Sequence, residues 1–149
     1  MSSIHVENQV HENLVYDIKL SSVGPAKVTG TGLVYEPTNT DLIMKLHYLR
    51  GLYFFEHDAV EGLTVYDIKA PMFKLLNHFN INCGRFRRSE SGRPYIKCND
   101  CGVRIIEARC KNTIDEWLEM KNYSLHRLLV SNQVLGPELA FSPMILVQV

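Results

Sequence analysis

Residues 83–110 read CGRFRRSESGRPYIKCNDCGVRIIEARC, and this stretch decides the fold. Cys83 to Arg87 predicts a strand, and Ser89 to Gly92 predicts a tight turn. Pro94 to Cys98 predicts a second strand, Asn99 to Gly102 a second turn, and Val103 to Cys110 a third strand. Asn, Asp and Gly tolerate the left-handed backbone angles of hairpin turns, which explains their placement. The expectation is a β-meander.

Helices are expected on both sides of it. Upstream, Thr64 with Asp67 three residues on approximates a capping box, in which hydroxyl and carboxylate satisfy the free amides of a first turn. Ile68, Met72, Leu75 and Phe79 follow at steps of four, three and four, which gives an apolar face. Pro71 interrupts this run, and an interior proline costs about 3 kcal/mol, so a late start or a kink is expected. Downstream, Thr113 with Glu116 is a second capping box, opening a helix through Trp117, Leu118 and Met120.

The remaining segments are shorter. Residues 1–14 predict a disordered lead-in, and 15–149 one incomplete domain. In Val15 to Leu20, Tyr16, Ile18 and Leu20 alternate as in a half-buried strand. Ser21 to Pro37 predicts a loop with one extended piece. Thr38 to Thr40 can cap a helix whose apolar residues are Leu42, Ile43 and Leu46. Leu52 to Phe55 predicts a buried aromatic strand. Tyr123 to Pro143 is irregular, with a turn at Gly136-Pro137. Met144 to Val149 predicts a strand apolar on both faces, which wants cover on both sides. With no polar cap after it, a fragment of a larger α/β protein is expected. The fold class is therefore α/β, in the α+β sense of a mixed sheet with flanking helices.

Composition narrows the function. The chain has 149 residues, 46% of them apolar and 21% charged, and sixteen basic residues balance sixteen acidic ones. A protein that grips phosphate backbones carries a basic surplus, so no nucleic-acid partner is expected. No stretch has the signal-peptide pattern or the ~20 apolar residues of a membrane span. A cytoplasmic protein with reduced cysteines is expected, unless a partner holds it on a membrane.

Candidate chemistry is sparse. Cys98-Asn99-Asp100-Cys101-Gly102 has the form of a zinc knuckle, but Cys83 and Cys110 lack the spacing of a second ligand pair. Small buried thiols are the simpler reading, and no metal site is expected. Arg85, Arg87, Arg88, Arg93 and Lys97 form a basic cluster with Phe86 and Tyr95 as its only aromatics, which suits a solvated or paired face better than a stacking platform. His5, His11, His47, His78 and His126 lack an acid four positions on, and His57 has Glu61 there but no aspartate. Neither a phosphate loop nor a nucleophile elbow occurs. No catalytic residue is expected in this chain.

One resemblance is specific. Gly84-Arg85, Gly92-Arg93-Pro94-Tyr95-Ile96, Cys98-Asn99-Asp100, Gly102-Val103 and Glu107-Ala108 resemble the N-terminal half of the plant BAHD acyltransferases. Tyr53-Phe54-Phe55, Pro143 and Val147-Gln148-Val149 continue the resemblance in the family's order. Leu20 to Pro25, Asp41 to Leu49, Gly136 to Leu139 and Phe141 to Pro143 are similar to its eceriferum branch, needed for the longest cuticular-wax chains.

The resemblance implies two pseudo-symmetric domains of the chloramphenicol-acetyltransferase type, of which this chain would be part of the first, roughly a third of a member. Acyl-CoA would be the substrate, and a histidine in an H-x-x-x-D motif beyond Val149 the general base. A D-F-G-W-G motif lies far downstream. Neither motif maps onto a residue here, which leaves enzyme status open. A membrane-bound fatty-acid elongase condensing enzyme would be the partner, at the endoplasmic reticulum. Gly84, Arg85, Gly92, Arg93, Cys98, Asn99, Asp100 and Gly102 would be structural, the arginines buried or half-buried in pairings. An ordinary O- or N-acyltransferase and a small zinc module are the alternatives.

Overall fold

A computed structural model describes residues 14–30, 32–44, 47–131 and 142–149. The expected lead-in, Leu46 and the Gly136-Pro137 turn lie outside these, apart from Leu14.

Among the described residues, six strands form two sheets of three, ordered β1-β5-β6 and β2-β4-β3. Strand β1 is Val15–Val23, β2 Val34–Tyr35, β3 Arg85–Arg88, β4 Pro94–Lys97, β5 Val103–Cys110 and β6 Leu146–Gln148. Helix α1 is Asn39–Met44, α2 His57–Val60, α3 Val65–Leu75 and α4 Ile114–Glu119, with 3-10 turns at Asn80–Cys83 and Tyr123–Leu129. The expected meander is realised only as the β3–β4 hairpin, because β5 leaves for the other sheet and pairs with β1 and β6. Pairing is antiparallel except between β5 and β6, so the first sheet is mixed. Arg85 forms an isolated bridge with Pro143 just before β6 pairs with β5, so this segment joins the two sheets.

The core lies on one face of the first sheet. Val23, Val103 and Ile105 face the same way by register and pack with Leu76 and Cys83. Val65 and Met72 of α3, with Ile145 and Val147, close around them. Side-chain and backbone bonds hold α3 there: Lys69 Nζ donates to Ser21 Oγ at 2.6 Å, and Ala26 N to the Phe73 carbonyl at 2.9 Å. The opposite face carries Ile106 and Gln148, which share a register position. There the Gln148 amide donates to the Leu128 carbonyl at 3.2 Å, and Trp117 Nε1 reaches Cys110 Sγ at 3.0 Å. Cover on both faces matches the apolar pattern of β6.

Several expectations need correction. Helix α3 begins directly after its Thr64 cap, with the capping box formed and Pro71 inside the helix, so the start is not late. Pro71 deprives the Asp67 carbonyl of its intrahelical donor on an exposed stretch, where water can replace it. Leu52 to Phe55 forms no strand, and Tyr53 is 79% exposed. Cys83 closes a 3-10 turn instead of opening a strand. In β1, Tyr16, Ile18 and Leu20 are exposed, as are Asp17 and Lys19 between them, and the register shifts between Tyr16 and Lys19 around Asp17 at φ 52°. A bulge there breaks the alternation read from the sequence. The capping box of α4 forms as expected.

Candidate functional site

The turn from Asn99 to Gly102, where the chain leaves one sheet for the other, gathers most of the residues singled out in the sequence. Arg85 lies beneath it, 5% exposed. Its Nη1 donates to the Gly84 and Gly102 carbonyls, both at 2.8 Å, and more distantly to the Cys83 carbonyl at 3.4 Å. Its Nη2 donates to the Cys101 carbonyl at 3.1 Å. The guanidinium is therefore buried and paired as expected, its partners being carbonyls from two chain segments. Burial lowers its pKa from the ordinary arginine value.

Around this cation the backbone is tightly constrained. Asp100 has φ 55°, and its carboxylate accepts from Thr29 N at 2.8 Å and Thr29 Oγ1 at 2.6 Å. This fastens the loop after β1 to the turn. Thr29 carried no sequence signal, because a loop threonine 71 residues away shares no motif with its partner. A Cβ on Gly84 would come within 2.5 Å of Ile96 Cγ2 and 2.8 Å of the Lys97 carbonyl oxygen, so packing excludes a side chain. Asn99 Oδ1 is buried without a hydrogen-bond partner among the described residues.

Gly92 and Arg93 stand at the far end of the β3–β4 hairpin. Arg93 is exposed, and its Nη2 donates to the Pro37 carbonyl at 2.9 Å and Asn39 Oδ1 at 3.2 Å, fastening the hairpin to the start of α1. The structure thus divides the eight residues between two ends of one hairpin unit.

None of these groups is arranged for catalysis. Cys98 is buried while Cys101 is exposed, and no three His, Cys, Asp or Glu side chains cluster to hold a metal among the described residues. Burial pushes the Cys83 thiol from 9.0 to about 11, with Asp100 adding to the rise, and burial also raises Cys98. Both thiols are therefore protonated and unreactive at neutral pH. His47, His57 and His78 are exposed and have no carboxylate partner among the described residues. His126 is wedged edge-on against Trp117 and Tyr123, with ring centroids 5.9 and 5.6 Å away, and its Nε2 is buried without a hydrogen-bond partner among the described residues.

Iodoacetamide applied to the native protein at pH 8 should therefore label Cys101 well before Cys83 and Cys98. A linked consequence concerns stability. The unfolded Cys83 thiol loses its proton near 9.0 and the folded one near 11, so the unfolded state binds fewer protons between these values. Stability is expected to fall across that window by up to about 1.4 kcal/mol per pH unit. A Cys83→Ala variant should lose this part of the alkaline dependence, as followed by denaturation at stepped pH.

A wide, largely apolar cleft of about 1670 Å³ opens beside the sheets. Phe55, Ile68, Phe86 and Ile145 line it, with Lys19 and Arg109 among its charged residues. Its walls can shelter apolar groups, and in them Asp17 pairs with Lys19 at 3.7 Å and with Arg109 at 3.4 Å. No helix among the described residues is long and apolar enough to cross a membrane.

Protein ECERIFERUM 26-like of Arabidopsis thaliana is 46% identical over 134 residues, covering 90% of this chain and 32% of its own length. Protein ECERIFERUM 26 of the same plant is 48% identical over 134 residues, again 90% of this chain and 31% of its own. A hydroxycinnamoyltransferase of Narcissus pseudonarcissus is 24% identical over 139 residues, 91% of this chain and 32% of its own. The chain spans about a third of the length of these curated relatives. The BAHD acyltransferases act on acyl-CoA, and both sheets fall within residues 19–149 matched by their family model, apart from the first residues of β1: the chain belongs to the Transferase family.

Proposed function

We propose that this chain is the N-terminal structural portion of an acyltransferase-like protein of the eceriferum type, which supports elongation of very-long-chain fatty acids for cuticular wax. The observation that carries this reading is the difference in identity. Over nearly the same span, two ECERIFERUM proteins share 46% and 48% of residues, and a hydroxycinnamoyltransferase 24%. In this reading the chain contributes a scaffold: two sheets joined at the Arg85 node and an apolar wall. Acyl-CoA is bound by the assembled protein. A membrane-bound condensing enzyme at the endoplasmic reticulum is the partner, and chemistry at the acyl thioester does not depend on any residue described here.

The test is co-expression in yeast of the full-length protein carrying this sequence with an elongase condensing enzyme, followed by fatty-acid profiling. The longest acyl chains should lengthen relative to the condensing enzyme alone. An unchanged profile, with the purified protein transferring acyl groups from CoA to small alcohols or amines, would replace this reading with ordinary acyl transfer.

A further inference from the structure

The basic cluster is only partly absorbed by the fold. Arg85 is buried in the node, whereas Arg88 and Arg93 border the exposed turn from Ser89 to Gly92. Gly92 N donates to the Ser89 carbonyl at 2.9 Å, so Glu90 and Ser91 form the tip. Ser89 is engaged in the hairpin, its N–H bonded to the Arg93 carbonyl at 2.9 Å and its Oγ to the same oxygen at 3.2 Å. Ser91 Oγ is exposed and touches Ser89 Oγ at 2.9 Å. Arg88 stands three residues before Ser91 and Arg87 four before. Glu90 is the one carboxylate in the segment 85–93 against four arginines.

We propose that Ser91 is a phosphoacceptor for an arginine-directed protein kinase, and that its phosphate draws Arg93 away from the start of α1. An acidic substrate groove is complementary to arginines preceding an exposed hydroxyl. In the transfer step, Ser91 Oγ bonds to the γ-phosphorus of ATP, and the bond from that phosphorus to its bridging oxygen breaks. ADP leaves with that oxygen, and the hydroxyl proton passes to the kinase's catalytic carboxylate.

The product alters local forces in a defined way. A phosphoserine brings about two negative charges beside guanidinium groups. Arg88 Nη1 already donates to the Gly92 carbonyl at 3.1 Å, so its fork lies over the turn. Arg93 is held on α1 by two neutral amide oxygens, at 2.9 and 3.2 Å. A phosphate offers the guanidinium a full opposite charge and a bidentate fit that these neutral oxygens lack, so the phosphate wins the competition for Arg93. Phosphorylation thereby unfastens α1 from the hairpin.

The full-length protein, treated with an arginine-directed kinase and ATP, should carry phosphate on Ser91 by peptide mapping. Incorporation should fall about tenfold in Ser91→Ala and several-fold in Arg88→Gln, and persist in Ser89→Ala. Amide exchange over residues 39–44 should speed up on phosphorylation, and Arg93→Gln should show the same rapid exchange without phosphate. Phosphate on Ser89 in place of Ser91, or a folded protein left unmodified, would overturn the acceptor assignment. Unchanged exchange in α1 after modification of Ser91 would overturn the release of Arg93.

Discussion

Replacing Arg85 with methionine is expected to lower folding stability by about 3–5 kcal/mol, a large fraction of what a domain this size possesses. The reason is the set of oxygens left behind. Two carbonyls at 2.8 Å and one at 3.1 Å lose a charged donor in a site only 5% exposed. Each bond to a charged group contributes about 1.5–3 kcal/mol, and a buried acceptor without a partner adds its own penalty. Methionine recovers part of the sum by packing, hence the intermediate estimate. Arg85→Lys keeps the charge but not the fork, so it can serve only some of the carbonyls, with a loss of about 2 kcal/mol. Urea unfolding of the full-length protein separates the cases. An Arg85→Met loss below about 1 kcal/mol would show that the carbonyls find other donors.

Gly102→Ala is the second large effect, and Gly92→Ala is its control. Both glycines have left-handed backbone angles, φ 79° and 81°. At Gly92 a Cβ meets nothing within 4 Å, so alanine costs the conformational strain alone, about 1–2 kcal/mol. At Gly102 a Cβ would stand 2.4 Å from the Val23 carbonyl oxygen and 2.7 Å from its carbon. Those are backbone atoms of β1, where Val23 pairs with Val103 at the end of the sheet. The strand must shift, and with it Val23 and Val103, both in the core. The expected loss exceeds about 4 kcal/mol, beyond the usual range for a point substitution. Equal losses in the two variants would mean that backbone angle matters and proximity to β1 does not.

These residues also show where sequence reasoning works. The turn from Asn99 to Gly102 was legible because Asn, Asp and Gly are chemically suited to positive φ, which Asp100 and Gly102 adopt, though it links two sheets where a hairpin was expected. Both capping boxes were legible because their partners lie three residues apart. Long-range features were not. The bond from Thr29 to Asp100 and the carbonyl set around Arg85 depend on how two sheets meet, and no local pattern encodes that. The exposed Tyr53 and Leu20 show a different gap. Aromatic and aliphatic content marks a surface suited to burial, but the covering partner has to be found elsewhere.

The zinc-knuckle alternative depended on spacing alone. Within the fold its two thiols divide between interior and surface, and the turn they flank is organised around Arg85 and Asp100. Residues 83–110 thus build a structural node held by a guanidinium and a carboxylate.

Amide hydrogen exchange of the full-length protein, with and without a zinc chelator, distinguishes this node from a metal site. The amides of Gly102 and β5 are expected among the slowest to exchange, since Gly102 N donates to the buried Cys83 carbonyl at 3.1 Å, and the chelator should leave their rates unchanged. Rapid exchange at this turn, or protection that disappears with the chelator, would contradict the account.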